Sequence, residues 1–182
     1  CGSGIHFQIQ KYILDEYGVG DPTDTEFPNI NIWGMLEKDR RDKLNKSMRM
    51  WFKFLKDNPD YEPLAQELSL FYDKDKARFA GRIDQLINLG GQRTLLDIKT
   101  GGYWESYDYQ LAGYFILLQQ IEKVDRVVAL YLDANPDRNV SKTYKLHEYT
   151  IDQIIDNSIA FMEMVKKYYE NKTMILEMVF EE

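Results

Sequence analysis

Apolar and polar positions alternate along this chain with two different periods. From Ile5 to Tyr17, apolar residues recur at helical spacing (Ile5, Ile9, Tyr12, Ile13, Tyr17) and Gly18 follows as a stop, which predicts a helix. Residues 18–30, GVGDPTDTEFPNI, read as a loop rich in Gly, Pro and Asp. A second helix is predicted from about Ile32 or Met35 to Lys56, with Leu44, Met48, Trp51, Phe52 and Leu55 as its apolar stripe and Asn58-Pro59 as its end. The pattern then turns to β. Leu64–Phe71, Arg78–Leu89 and Arg93–Thr100 are candidate strands, joined by YDKDKA and by a tight Gly90-Gly91 connection, so an antiparallel meander is expected. Tyr107–Ile121 is a predicted helix, Arg126–Asp133 a very apolar strand, ANPDRN a loop, Ser141–Tyr149 an edge-type strand and Ile151–Asn171 a long amphipathic helix.

The order is therefore α-α-β-β-β-α-β-β-α, which predicts an α/β fold with a mixed central sheet flanked by helices. The strand from Arg126 follows a helical crossover and is expected to lie parallel to its neighbour. The 182 residues, 44% hydrophobic and 14% aromatic, suit one folded domain over 1–182 and exclude a disordered chain. Within it the N-terminal helices occupy 5–57, the core about 60–135 and the C-terminal helix 151–171. No internal repeat or low-complexity segment interrupts it.

Composition changes this picture in three places. No apolar run approaches the ~20 residues of a membrane helix, and the opening CGSGIHF lacks a basic start leading into an apolar stretch, so neither a membrane span nor a secretory signal is expected. The single cysteine, Cys1, excludes an internal disulfide, a cysteine zinc site and an iron–sulfur cluster held by four of the chain's own cysteines; a reducing, intracellular (cytoplasmic) setting is expected. The net charge is −7, yet Lys38–Lys56 carries eight basic residues against two acidic ones, a local +6 on a body of −13. Such a segment is either the solvated face of an amphipathic helix or a surface for an anion such as a nucleic-acid backbone.

Candidate chemistry gathers in the meander. In RTLLDIKTGG, Asp97 and Lys99 fall on one face of a strand and Ile98 on the other. With a turn at Gly90-Gly91, residues whose numbers sum to about 181 face each other, and Asp84 and Asp97 fit that sum. Two opposed carboxylates repel unless positive charge sits between them. Lys99 supplies one charge, a divalent cation would supply another, and oxygen ligands suit Mg²⁺ or Mn²⁺. Glu67, on the first strand, could join the group. The alternative is a structural Asp–Lys pair; buried pairs of that kind stabilise weakly. On the next helix Gln110 and Tyr114 are four residues apart and share a face.

In motif order, FAGRIDQLINLGGQRTLLDIKTGG and YDYQLAGY resemble the catalytic core of the PD-(D/E)XK nuclease superfamily, specifically its RecB-like exonuclease branch. The Gly-x-x-Asp strand is matched by Gly81–Asp84, the Asp-x-Lys strand by Asp97–Lys99 with Thr100-Gly101 after it, and the Gln-x-x-x-Tyr helix by Gln110–Tyr114. A histidine shortly after a glycine, near the start of the first helix, is matched by His6, and an acidic residue entering the first core strand by Glu67.

The resemblance implies a restriction-endonuclease-like core and a metal-dependent phosphodiesterase. Asp84 and Asp97 would hold Mg²⁺ or Mn²⁺ together with the Ile98 carbonyl and the His6 imidazole, and Glu67 would bind a second metal or orient a water. Lys99 would position or deprotonate the attacking water, the latter requiring a depressed pKa. Gln110 and Tyr114 would support the site. The cysteines that hold an iron–sulfur cluster in some relatives are absent, so no such cluster is expected.

The implied substrate is DNA, as a single strand or a duplex end. Arg41, Lys46, Arg49 and Lys53 are candidates to track phosphates, and Trp104 and Tyr107 (with Tyr103) to stack on unpaired bases, core or lid packing being the alternative for the aromatics. An exonuclease or DNA-end-processing enzyme is the first expectation. A structure-selective or restriction-type endonuclease, an RNase, and a catalytically silent nucleic-acid-binding domain are the others. The intact set Asp84, Asp97 and Lys99 argues against silence. A toroidal homo-oligomer would favour processive degradation, although no residue specifies one.

Overall fold

The computed structural model describes residues 2–21, 38–132 and 143–180. In chain order the elements are α1 (Gly2–Tyr17), α2 (Lys38–Asp57), β1 (Glu62–Lys74), β2 (Ala77–Leu89), β3 (Gln92–Lys99), α3 (Ser106–Leu118), β4 (Arg126–Tyr131), β5 (Lys145–Tyr149) and α4 (Ile151–Phe180). The strands form one five-stranded sheet in the order β1-β2-β3-β4-β5. β1, β2 and β3 make an antiparallel meander, β4 runs parallel to β3 after the α3 crossover, and β5 returns antiparallel. This is the mixed, helix-flanked α/β sheet the sequence predicts.

Helices cover both faces. Ile9 and Ile13 of α1, with Trp51 and Phe54 of α2, pack on Ile87, Leu96, Ile98, Val128 and Leu130. Leu111, Leu117 and Leu118 of α3, with Ile154 of α4, pack on Leu95, Val127 and Ala129. The central strands β3 and β4 are thus buried on both sides, which is why LLDI and RVVALY read as near-continuous apolar runs rather than as alternation. A reciprocal cap starts α4: the Gln153 N–H donates to Thr150 Oγ1 and the Thr150 N–H to Gln153 Oε1.

Several boundaries differ from the periodicity, each for a local reason. β1 and β2 pair out to Lys74 and Ala77, so the connection is only Asp75-Lys76, both at positive φ, rather than the whole of YDKDKA. Tyr72 stacking on Phe79 holds that polar extension together. The Gly90-Gly91 connection is as tight as expected, again with both φ positive, as a two-residue type I′ hairpin requires. α3 starts at Ser106 and ends at Leu118, and α4 continues past Asn171 to Phe180. β4 stops at Tyr131 and β5 begins at Lys145; residues 141 and 142 of the expected edge strand, and the expected start of α2 near Ile32 or Met35, lie outside the described residues.

The inward face of α2 is also rotated from the predicted stripe. Leu44, Met50, Trp51 and Phe54 are buried, whereas Met48 and Leu55 are half-buried and Phe52 is exposed against the Tyr12 ring. The cause is Ser47. It is fully buried and donates its hydroxyl to the Leu132 carbonyl (2.7 Å), so a polar residue occupies a core position that an apolar pattern passes over.

Candidate functional site

Register brings three acids onto one row of the sheet. Gln66 stands opposite Gln85 and Leu68 opposite Ile83, which sets Glu67 against Asp84; Gln85 opposite Leu96 extends the row to Asp97. The ladder breaks there. Glu67 has φ 53°, and in place of a regular backbone pairing the Ile98 N–H donates to Asp84 Oδ2 (2.7 Å). β2 also turns over at this point: Ile83 packs with the α3–α4 layer, whereas Gln85 accepts the Tyr61 hydroxyl (2.8 Å) on the α1–α2 side. Asp84 lies at the crossing and therefore reaches α1 as well as β3.

Each carboxylate has a partner of opposite sign or a donor. Arg82 Nε is 2.7 Å from Glu67 Oε2, His6 Nδ1 is 3.4 Å from Asp84 Oδ1, and Lys99 Nζ is 2.7 Å from Asp97 Oδ2. Asp97 and Lys99 are only 2% and 8% exposed, so this pair is out of bulk water. The Lys99 contact falls outside hydrogen-bond geometry, and Asp97 Oδ2 is a buried oxygen with charge beside it but no directed donor. Lys99 Nζ instead donates to Gln110 Oε1 (2.6 Å), and Gln110 Nε2 donates to the Tyr114 oxygen (2.9 Å). The Tyr107 ring lies 4.1 Å from Lys99 Nζ, a cation–π contact.

Burial first, and the charge of Asp84 second, push the Asp97 carboxyl up to about 7, against the pull of Lys99 and His6. For His6, burial works to lower the pKa, but the contact with Asp84 and the charges of Asp84, Asp97 and Glu67 outweigh it and hold the imidazole above its usual value. Burial raises the Tyr114 hydroxyl.

A cavity of about 270 Å³ opens on this cluster, with His6, Asp84, Asp97, Lys99, Gln110 and Tyr114 around it and Ile98, Thr100 and Tyr107 completing its wall. Donor atoms of His6, Glu67 and Asp84 lie within 4.8 Å of one another, close enough to share one cation. Asp97 stands outside that trio but lines the same cavity as His6 and Asp84. A set of carboxylates with one imidazole, beside a buried carboxylate oxygen lacking a donor, fits a divalent ion of the Mg²⁺ or Mn²⁺ type.

The structure thus brings together His6, Glu67, Asp84, Asp97, Ile98, Lys99, Tyr107, Gln110 and Tyr114. The other residues singled out in the sequence lie elsewhere. Arg41, Lys46, Arg49 and Lys53 are on α2 and none lines the cavity; Lys53 pairs with Asp57 at 2.8 Å. Trp104 is exposed between Thr100 and Tyr107.

Three supports escaped the sequence reading. Arg82 pairs with Glu67, two positions before Asp84 in FAGRID, and a cation so close to a candidate ligand was the available signal. Gln66 is buried and donates Nε2 to the carbonyls of Gln10 (3.0 Å) and Val19 (2.6 Å), tying α1, and with it His6, to β1. Gly81 matched as a motif letter, but its reason is spatial: a Cβ there would stand 2.6 Å from the Tyr114 ring.

A mixed sheet, helix-covered on both faces, that gathers Asp, Asp-x-Lys and Gln-x-x-x-Tyr at one cavity defines a restriction-endonuclease-like nuclease core. The chain belongs to the PD-(D/E)XK nuclease superfamily, whose family model matches residues 10–177. That superfamily hydrolyses phosphodiester bonds with divalent metal ions, and its substrates are nucleic acids. The match begins after His6, so the place of His6 in the site rests on geometry.

Among solved structures, a protein from Eubacterium rectale described as a putative exonuclease is similar to this chain, with 11% identity and a TM-score of 0.52 over 96% of it. The chain spans 64% of that protein's length. The structure of SSO0001 shares 17% identity over 89% of this chain and 74% of its own, with a TM-score of 0.37. No curated protein matches the sequence. Among the described residues no helix is long and apolar enough to cross a membrane.

Proposed function

We propose that the chain is one nuclease domain of the RecB-like branch and that it degrades or trims DNA from an end, with Mg²⁺ or Mn²⁺ as cofactor. The observation that carries this reading is the convergence of Asp84, Asp97, Lys99, Gln110 and Tyr114 on one cavity, in the motif order of that branch.

In this reading Asp84, Asp97, Glu67, His6 and the Ile98 carbonyl hold the ion. A divalent ion bound there neutralises phosphoryl charge and acidifies the attacking water. The other steps belong to the chain's own groups. Asp97 and Gln110 hold the Lys99 ammonium at the cavity, where it orients the water and stabilises the charge that develops on the phosphoryl oxygens. Gln110 is a positioning residue: its oxygen is used by Lys99 and its amide by Tyr114. Because the Tyr114 oxygen accepts from Gln110, its own hydroxyl proton is left to donate to a phosphate oxygen.

The test is cleavage of end-labelled linear DNA against closed circular DNA, with Mg²⁺ or Mn²⁺ and Lys99→Ala as control. Loss of the linear substrate alone supports the end-directed reading. Nicking of the circle reassigns the protein as an endonuclease, and cleavage of RNA alone reassigns the substrate. Identical behaviour of wild type and Lys99→Ala on every substrate would end the catalytic assignment.

A further inference from the structure

Lys99 and α3 are joined by the short segment TGGYWES, Thr100–Ser106, and its two ends are fixed to the cavity. Thr100 and Tyr107 both line the wall, so the segment between them leaves and returns at the cavity. Two large aromatics in that stretch face solvent: Tyr103 is 56% and Trp104 60% exposed. Trp51, by contrast, is fully buried in the α1–α2 core. An exposed indole and phenol side by side forgo apolar burial that residues of their size normally gain.

The Tyr103 ring and the Trp104 backbone are also held in place. Tyr103 donates its hydroxyl to Asp108 Oδ2 (2.5 Å), and the other oxygen of that carboxylate accepts the hydroxyl of buried Tyr149 (2.7 Å). Asp108 therefore anchors the exposed ring to the end of β5. The Trp104 carbonyl accepts the Tyr107 N–H (2.9 Å), which tethers its backbone to the first turn of α3. A flat ring fixed beforehand, as Tyr103 is, loses less freedom when a flat partner stacks on it.

We propose that Tyr103 and Trp104 form a stacking platform at the cavity rim for an unpaired base next to the scissile phosphate, so that the strand entering the site is single-stranded DNA. The inference rests on the nuclease reading for the meaning of the cavity, but base stacking itself needs no hydrolysis. Stacking accepts any base and gives little sequence preference. A paired end must therefore fray or be unwound before its terminal nucleotide reaches the Asp84–Asp97 cluster.

The experiment compares binding of a labelled single-stranded oligodeoxynucleotide, an abasic strand of the same length and a closed hairpin duplex, all with chelator so that nothing is cut. The wild type is expected to prefer the base-containing strand over the abasic one by about tenfold, the size of one stacked base. Trp104→Ala removes that preference and leaves abasic and hairpin binding unchanged, and Trp104→Phe keeps most of it. Trp104 is exposed, and an unchanged melting temperature checks that the variant folds. Quenching of tryptophan fluorescence by the single strand, lost in Trp104→Phe, is the second readout. Equal loss of affinity for all three ligands in Trp104→Ala, or a base preference that survives it, overturns the proposal. A base preference in a protein that never cleaves would sink the nuclease reading and leave the platform standing. Cleavage without any base preference would do the reverse.

Discussion

Two lysine–aspartate pairs in this protein have nearly the same length and opposite meaning. Lys53 and Asp57 meet at 2.8 Å on the open surface of α2, one helical turn apart. Lys99 and Asp97 meet at 2.7 Å two positions apart on β3, with side chains 9% and 2% exposed. The surface pair forms because the helix places i and i+4 side by side, and water screens it, so almost nothing depends on it. The buried pair has lost its water on both sides, a loss that the mutual attraction of the charges need not offset. Distance alone does not separate them; burial and the surrounding groups do. Around Lys53 there is solvent, whereas around Lys99 there are Asp97, Gln110, Tyr107 and a cavity that also touches Asp84 and His6. A pair kept where it stabilises poorly is explained by what it does there.

Cutting the buried pair is the sharpest break of this comparison. Lys99→Met should lower nuclease activity by about 10²–10⁴-fold, the range for losing one group that handles the attacking water or the developing charge, measured as single-turnover cleavage. It also leaves Asp97 without its cation, so the melting temperature should fall. Replacing both partners, Asp97→Leu with Lys99→Met, should restore stability to wild type or exceed it by about 1–4 kcal/mol in denaturant unfolding while activity stays absent. If the double variant is as unstable as the single one, the pair is a structural element and its placement on the cavity is incidental.

A gentler break acts through shape. Gly81→Ala puts a Cβ 2.6 Å from the Tyr114 ring and 3.0 Å from Leu117, both on α3. Overpacking of this kind costs about 1–3 kcal/mol and shifts Tyr114, which holds Gln110, which in turn holds Lys99. Activity should fall more than the stability loss accounts for. Tyr114→Phe removes the hydroxyl and relieves no clash, and combining the two variants should give less than the product of their separate effects.

How much of this was legible beforehand depended on whether local pattern or packing decided the feature. The Gly90-Gly91 turn fixes the β2–β3 register, so the facing of Asp84 and Asp97 followed from counting, and the ladder agrees with that count at Gln85–Leu96. The parallel placement of β4 followed from its helical crossover. The row could not be completed to Glu67 by counting, because YDKDKA offers a six-residue turn whose centre is one residue off. From the actual Asp75-Lys76 connection the pairing runs unshifted from Lys74–Ala77 to Gln66–Gln85, and the register shift lies beyond it, between Pro63 and Ala65. The face of α2 was misassigned because Ser47 is satisfied by a carbonyl 85 residues away, a contact no window on the helix contains. Gln66 was invisible as an anchor for the same reason, since both of its acceptors lie on α1 or just beyond it.

Protons sharpen the comparison next. The Asp97 carboxyl is raised to about 7 in the folded chain, against about 3.9 when unfolded. Between those values the folded state holds the extra proton, so metal-free stability from this group falls as pH rises from about 4 to about 7. His6 is raised as well, so it too keeps a proton that an ion must displace. Mn²⁺ binding should therefore weaken as pH drops below about 7. The rise in melting temperature on adding Mn²⁺ should shrink steadily toward pH 5 and largely vanish in Asp84→Ala at every pH. A metal-induced rise that is flat across this range would remove both groups from the ion's surroundings.

The surface pair supplies the smallest effect and the control that makes the others interpretable. The hydrogen bond from Lys53 holds the Asp57 carboxyl below its usual range, with Tyr144 adding a second one. A carboxyl lowered in the folded state contributes stability above its unfolded pKa and loses it as pH falls through the folded value, the opposite sign to Asp97. Both Lys53 and Asp57 face solvent, so Lys53→Met should leave the melting temperature at neutral pH and the rate of cleavage unchanged. What it can alter is binding: if α2 tracks phosphates outside the cavity, removing one cation reduces the salt dependence of DNA affinity by about one unit of slope or less. An unchanged slope in Lys53→Met, repeated in Arg49→Met, would return the +6 of Lys38–Lys56 to ordinary solvation and leave recognition to the cavity and its rim.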